Sequence, residues 1–447
     1  MASHPIARGI ALAIALLLTS PARAEPLSPG DLARKTEGGY FTGLPLAAFS
    51  TDIGVGVGAR AYYYRNGRRD DPRFATTPYL QRVFLQVFAS TGGVQFHWLD
   101  YDSPRVAGTP YRVRGQLVFG RNTNSNYFPL GDRAQTPLAF PGAVGTFDRF
   151  RDYARAQQQV DAGTTYAKYD QYDLIKGLAI ASVERLFLGD RVRVLGGLGF
   201  TYTHLGDYTG RTVDALDASG GETTATEAPT RVHEDCAAGR LVGCAGGRES
   251  WLRLGLSYDT RDFEPDPNRG VFLDAAFDAA TRALGSEYAY VRVLLAGRIY
   301  WSPIPTRADL VIAARAFAEY QSKGTPFSSL DALPFTEDSR SGLGGHRTLR
   351  GFRQDRFVGR VMAASTVEVR WTFTRFRLRR QRLALFAVPF ADVGRAFDDL
   401  GSLSLAHWQL GYGGALRASW NQATIVTLDV GHSAEDTGVY VNFGHMF

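Results

Sequence analysis

Only two of the 447 residues are cysteine and only three are methionine. Two cysteines with His233 as the nearby histidine make a poor zinc site, so no metal is expected. No stretch beyond the N-terminus reaches the roughly eighteen consecutive apolar residues of a transmembrane helix. The Gly-x-Ser-x-Gly elbow, the His-Glu-x-x-His pair and the phosphate loop are all missing. With no nucleophile–base pair at a recognisable spacing, an enzyme is the least expected class, and no cofactor is implied. Strong charge is lacking too. The net +6 is spread along the chain and makes no case for nucleic-acid binding.

What is abundant is glycine (49), phenylalanine (28) and tyrosine (21). Glycine and aromatics with alternating patterns suit an outer-membrane β-barrel. The N-terminus fits that address: Arg8, the apolar run Gly9 to Leu18 and the small-x-small Ala22-Arg23-Ala24 predict a signal peptide over 1–24. Residues 25–50, with Pro26, Pro29 and several glycines, read as a short periplasmic segment too small to bury a core. Residues 51–447 read as the barrel.

The alternation is clearest from Val361 to Phe373. Val367, Val369, Trp371 and Phe373 share one face, and Thr366, Glu368, Arg370 and Thr372 share the other. A period of two with charge on one side describes a strand between lipid and a polar lumen. Such stretches predict an all-β, 16-stranded antiparallel transmembrane barrel. The strands fall near 52–65, 78–91, 92–103, 110–122, 145–160, 169–187, 191–206, 249–261, 269–282, 286–302, 307–321, 361–374, 381–397, 405–418, 423–433 and 437–447. The charged 145–160 is the least regular. Tight turns at Leu188-Gly189-Asp190 and Ser90-Thr91-Gly92-Gly93 are expected to face the periplasm. The long polar connections 207–248 and 322–360 are expected to face outward. A soluble propeller would repeat every 40–50 residues, and no such repeat is present.

The second of those connections contains Leu349-Arg350-Gly351-Phe352. Glycine after the arginine permits a tight reversal, which would send the arginine inward, where it needs a carboxylate. Glu368 supplies one on the lumenal face of its strand. Asp392 supplies another in Phe390-Ala391-Asp392-Val393-Gly394, where Phe390, Asp392 and Gly394 share a face and Gly394 leaves room. Such an outer loop, folded inward, would plug the lumen.

These two stretches resemble the signature of the BamA/TamA (bacterial surface antigen) superfamily. Asn126-Tyr127-Phe128 and Tyr169 to Tyr172 extend the likeness. The resemblance implies a sixteen-stranded outer-membrane barrel whose sixth outer loop carries an Arg-Gly-Phe tip into the lumen. It implies Arg350 as that tip arginine, with Glu368 and Asp392 as its partners on strands twelve and thirteen. It further implies insertion or translocation of proteins, with outer-membrane lipids and other outer-membrane or exported proteins as partners and a monomeric state. Residues 25–50 cannot hold a POTRA domain, so a barrel-only member is expected. Val441, Phe443 and Phe447 on one face of the last strand resemble a barrel insertion signal, interrupted by His445. Cys236 and Cys244, in an outer loop of an oxidising compartment, are expected to form a local disulfide. A diffusion channel and a surface-binding barrel using 207–248 and 322–348 are the alternatives.

Overall fold

The structure is a computed structural model that describes residues 35–71, 74, 77, 79–262, 266–304, 310–337, 339–378, 381–420 and 424–447. Sixteen antiparallel strands form one closed barrel, each paired with the next in sequence. The first eight are β1 (Gly38–Ser50), β2 (Gly54–Gly67), β3 (Gln81–Ser90), β4 (Val94–Ser103), β5 (Tyr111–Asn126), β6 (Gln171–Phe187), β7 (Val192–Gly206) and β8 (Gly246–Asp259). The second eight are β9 (Gly270–Ala280), β10 (Tyr290–Trp301), β11 (Leu310–Gln321), β12 (Val361–Leu378), β13 (Gln381–Phe397), β14 (Gln409–Trp420), β15 (Thr424–His432) and β16 (Thr437–Phe443). No helix among the described residues is long and apolar enough to cross a membrane, which says nothing of a barrel that crosses with strands.

Alternation explains why the barrel suits lipid. Along β12, Thr366, Glu368 and Arg370 are buried in the lumen, while Val367, Trp371 and Phe373 are exposed outside, Trp371 by 53%. The same outward apolar faces recur at Leu85, Leu117, Leu198, Leu254, Leu295 and Leu416. A band of this size exposed to water would aggregate, and lipid accommodates it. Closure pairs the strands along their neighbours, because each orphan backbone group in the hydrocarbon costs several kcal/mol, and leaves one long exception beside β1.

Two strand assignments differ from the sequence reading, and they cancel in the count. Gly38–Ser50, read as a periplasmic segment, is the first barrel strand, paired along its length with β2. Its glycines and Pro45 imitate a loop, but a strand at the seam has a partner on only one side over most of its length and tolerates them. Residues 145–160, read as a strand, hold instead the helix Phe150–Gln157, which buries Tyr153 and Gln157 one turn apart. The missed strand inverted the direction assigned to every strand up to β5, and the false one restored it. The turn Ser90 to Gly93 therefore lies at the end that carries the long connections, not at the short-turn end with Leu188 to Asp190. The predicted signal peptide and residues 25–34 lie outside the described residues.

The long connections 127–170 and 207–245 build a cap with a three-stranded sheet, the helix Arg231–Ala237 and the disulfide Cys236–Cys244. The third, 322–360, enters the barrel. Its Leu333, Phe335, Leu343, Leu349, Phe352 and Phe357 form an apolar core with wall residues Leu294, Phe317, Met362 and Ala396. The lumen is thus plugged by a piece of folded chain.

Candidate functional site

Glycine shapes the tip of the inward loop. Gly344, Gly345 and Gly351 all have positive φ, and the Gly345 N–H donates to the Phe352 carbonyl at 3.0 Å, closing a narrow reversal. Thr348 braces it, its hydroxyl bonding the Gly342 and Gly344 carbonyls at 2.8 Å each. Leu349 and Phe352 point into the plug core. Arg350, between them, is turned to the barrel wall and is fully buried.

Arg350 meets Asp392 through both faces of its fork: Nε donates to Oδ2 at 2.8 Å and Nη2 to Oδ1 at 3.0 Å. Its backbone N–H adds a third bond to the same carboxylate at 3.1 Å. Nη1 donates to Glu368 at 3.1 Å and to Asp429 at 2.9 Å. The guanidinium also lies 3.3 Å from the centre of the Phe390 ring. A planar, bidentate cation fits this arrangement, and an ammonium group would not. Burial opposes the charge on Arg350, but Asp392, Glu368 and Asp429 outweigh it and raise its affinity for the proton above the ordinary value.

The structure brings Arg350, Glu368, Phe390 and Asp392 together. It places Gly394 elsewhere: a Cβ there would meet Ala364 and Leu343 at 3.2 Å, so its room serves Leu343 of the loop rather than the arginine. The close approach to Arg350 comes from β14 and β15. A Cβ at Gly411 would lie 2.0 Å from the Arg350 carbonyl oxygen, and one at Gly431 would lie 2.7 Å from the Arg350 Cβ.

Sequence reasoning missed Asp429 and two further arginines. Arg417 holds Glu368 at 2.7 and 2.9 Å, and Arg370 holds it at 3.0 Å. Three cations and three carboxylates therefore neutralise one another in the buried cluster, as a low-dielectric site requires. Asp429 and Gly431 sit two apart on a lumenal face, as do Gly411 and Gly413, but the local sequence does not set them apart from solvated lumen positions.

The loop has a second, unforeseen hold on the opposite wall, with the charges reversed. Glu337 of the loop accepts from Arg261 at 2.5 Å and Arg298 at 2.7 Å, and Arg114 donates to its carbonyl at 3.0 Å. Thr336 bonds both oxygens of Asp274 on β9, at 3.0 and 2.7 Å. Burial would raise the Glu337 carboxyl, but Arg298 and Arg261 bring it down to about 2.

The chain end differs from the sequence reading. Val441 and Phe443 lie on β16, but the strand stops at Phe443 and Gly444, at φ +88°, turns the chain inward. Met446 and Phe447 pack inside the barrel on Tyr300, Val311 and Ala313. Phe447 therefore does not share a face with Val441 and Phe443. His445 is not at the membrane surface either: it is buried between Arg417 at 2.7 Å and Asp266 at 2.9 Å. Burial and the Arg370 charge push its imidazole down to about 4. Arg370 also donates to the Phe447 carbonyl at 3.0 Å, so the tail and the Arg350 cluster share a cation.

The seam between β1 and β16 is the weakest junction. Its register holds only Phe49 with Val441 and Ser50 with Tyr440, whereas β1 pairs with β2 from Gly38 to Ser50. Among the described residues, the edge of β1 from Gly38 to Ala48 has no paired strand on that side.

The Omp85 superfamily domain matches residues 99–428, and a domain of unknown function (DUF5982) matches residues 22–80. Among solved structures, the chain is similar to BamA from Haemophilus ducreyi lacking POTRA domains 1–3, at 12% identity and a TM-score of 0.51, covering 92% of this chain and 70% of that one. It is similar to CdiB from Escherichia coli at 10% identity and a TM-score of 0.51, over 90% of this chain and 62% of that one, so it spans less than two thirds of CdiB. These likenesses are of fold. No curated protein matches the chain in sequence.

Proposed function

We propose, because this chain belongs to the Omp85 superfamily, that it inserts or translocates other proteins at the outer membrane, and that client chains engage the seam between β1 and β16. The observation that carries this reading is the two-residue register of that seam. An unpaired strand edge in lipid is costly for the barrel alone, and a client strand that pairs with it removes the cost. The plug supports the same reading: a lumen crossed by 322–360 and by the tail leaves little room for a solute path, so a lateral route is favoured over a diffusion channel. No bond-making step is assigned. The outer loop and its anchors at Arg350, Glu368 and Asp392 hold the barrel's shape while the seam works, and the barrel acts as a monomer with lipid and client protein as partners.

The test is a cross-link. Phe49 and Val441 are directly paired and outward, so cysteines at both positions have the geometry for a disulfide. In liposomes, the reduced variant should accelerate insertion of an unfolded outer-membrane barrel, and oxidation should abolish that acceleration reversibly. Equal rates in both states would remove the seam from the mechanism.

A further inference from the structure

The short register of the seam raises the question of what holds β1 and β16 together in the resting barrel. Three residues beyond Arg350, the inward loop reaches both sides of the seam at once. Arg353 bonds the Thr51 carbonyl and lies 3.7 Å from Asp52, both in the turn between β1 and β2. The same guanidinium lies 3.1 Å from Asp436 in the turn between β15 and β16. Gln354 adds to the first side, its N–H donating to Asp52 at 3.2 Å. Gly351 adds to the second, its N–H donating to the Tyr440 hydroxyl at 3.3 Å and its carbonyl accepting from Ser433 at 2.7 Å. Arg356 reaches Glu435 in the same last turn at 2.7 and 2.8 Å. The Arg353 side chain is 23% exposed and stacks 4.5 Å from the Phe150 ring of the cap helix. One loop segment, 351–356, therefore bonds the first and the last hairpin turns.

We propose that Arg353 is the clamp that keeps the seam shut, joining the first and last hairpins from the outer end in place of the strand pairing they lack. The idea rests on the lateral route proposed above and adds its control. Lifting Arg353 from Asp52 and Asp436 removes the guanidinium that spans both hairpins and loosens them, with Gln354 left on the first and Gly351 and Arg356 on the last, while Arg350 still holds the loop in the lumen. The division of labour follows from the partners: Arg350 binds β12, β13 and β15 within the wall, and Arg353 binds the turns on either side of the gap. Arg353 is a positioning residue, since it touches no client.

The experiment is hydrogen exchange of the full chain in nanodiscs, read peptide by peptide. Arg353→Ala should speed exchange in β1 and β16 on the order of tenfold, as expected when a charge-assisted junction is lost. Peptides of β6–β9 should not change. Asp436→Asn should reproduce the effect from the other side, and Arg353→Lys should restore part of the protection. Unchanged exchange of β1 and β16 in both Arg353→Ala and Asp436→Asn overturns the clamp. Equal acceleration around the whole barrel also overturns it, because that reports general loosening. The insertion assay separates this proposal from the lateral route. Faster seam exchange with no effect of the Phe49–Val441 cross-link keeps the clamp and removes the route. A blocking cross-link with unchanged exchange keeps the route and removes the clamp.

Discussion

At the scale of the residue, Arg350 decides whether the plug is anchored. It was legible in the sequence because a glycine follows it and because Glu368 and Asp392 fall on lumenal faces by simple alternation. Arg370, Arg417 and Asp429 obey the same alternation, yet nothing local distinguishes them from solvated lumen residues. Only closure of the barrel brings β12, β13, β14 and β15 around one point. Removing one member of a buried, paired cluster leaves an uncompensated charge, at a cost of about 3–5 kcal/mol. Arg350→Ala and Asp392→Ala should each weaken the folded form by about that amount, seen as loss of heat-resistant compact mobility on gels. The double variant should be no worse than the worse single one, because the two groups share one interaction. Additive losses would show that they act separately.

At the scale of the element, the loop 322–360 is a strut fixed at two walls. Its second hold was not legible: Glu337 sits in a stretch without pattern, and its partners Arg261 and Arg298 come from distant strands and turns. With its carboxyl held near 2 by those arginines, Glu337 stays ionised at every pH the outer membrane meets. Glu337→Gln should cost about 1.5–3 kcal/mol, because it exchanges the charge-assisted bonds from Arg261 and Arg298 for neutral ones, while Arg261 keeps Asp259 at 2.9 Å. Limited proteolysis of the loop would read this, and an unchanged cleavage rate would count against a second hold. The tail gives a pH prediction. His445 is faced by Arg417 from β14, Arg370 from β12, Asp266 from the β8–β9 turn and the Phe386 ring from β13. Its folded value of about 4 lies below the ordinary 6.5, so the neutral form is the one the fold prefers. As pH falls from about 6.5 to about 4, the unfolded chain takes up a proton that the folded chain refuses, and stability declines. His445→Gln should flatten that part of the stability profile, measured by thermal unfolding at a series of pH values.

At the scale of the whole molecule, the strand number was legible and the starting point was not. Apolar alternation with charge on one side identified most strands, because lipid and lumen impose opposite demands on successive residues. It failed at β1, where glycine and proline suit a strand that lacks a full second partner, and at the cap helix, where charge follows a helical period. Both failures lie near the parts that make this barrel unusual, its seam and the cap above it. The central claim is that the barrel is held at that seam by a register of only two residues. Spin labels at Phe49 on β1 and Leu428 on β15, both opposite Val441 of β16, bracket the seam across one intervening strand. Labels at Leu85 on β3 and Leu117 on β5 bracket an ordinary pair of junctions in the same way, and all four side chains are exposed outside. The native cysteines are bonded to each other and do not compete for label. Pulsed electron resonance should give a broad or two-peaked distance distribution for the seam pair and a single narrow one for the control. Equally narrow distributions for both pairs would contradict the account.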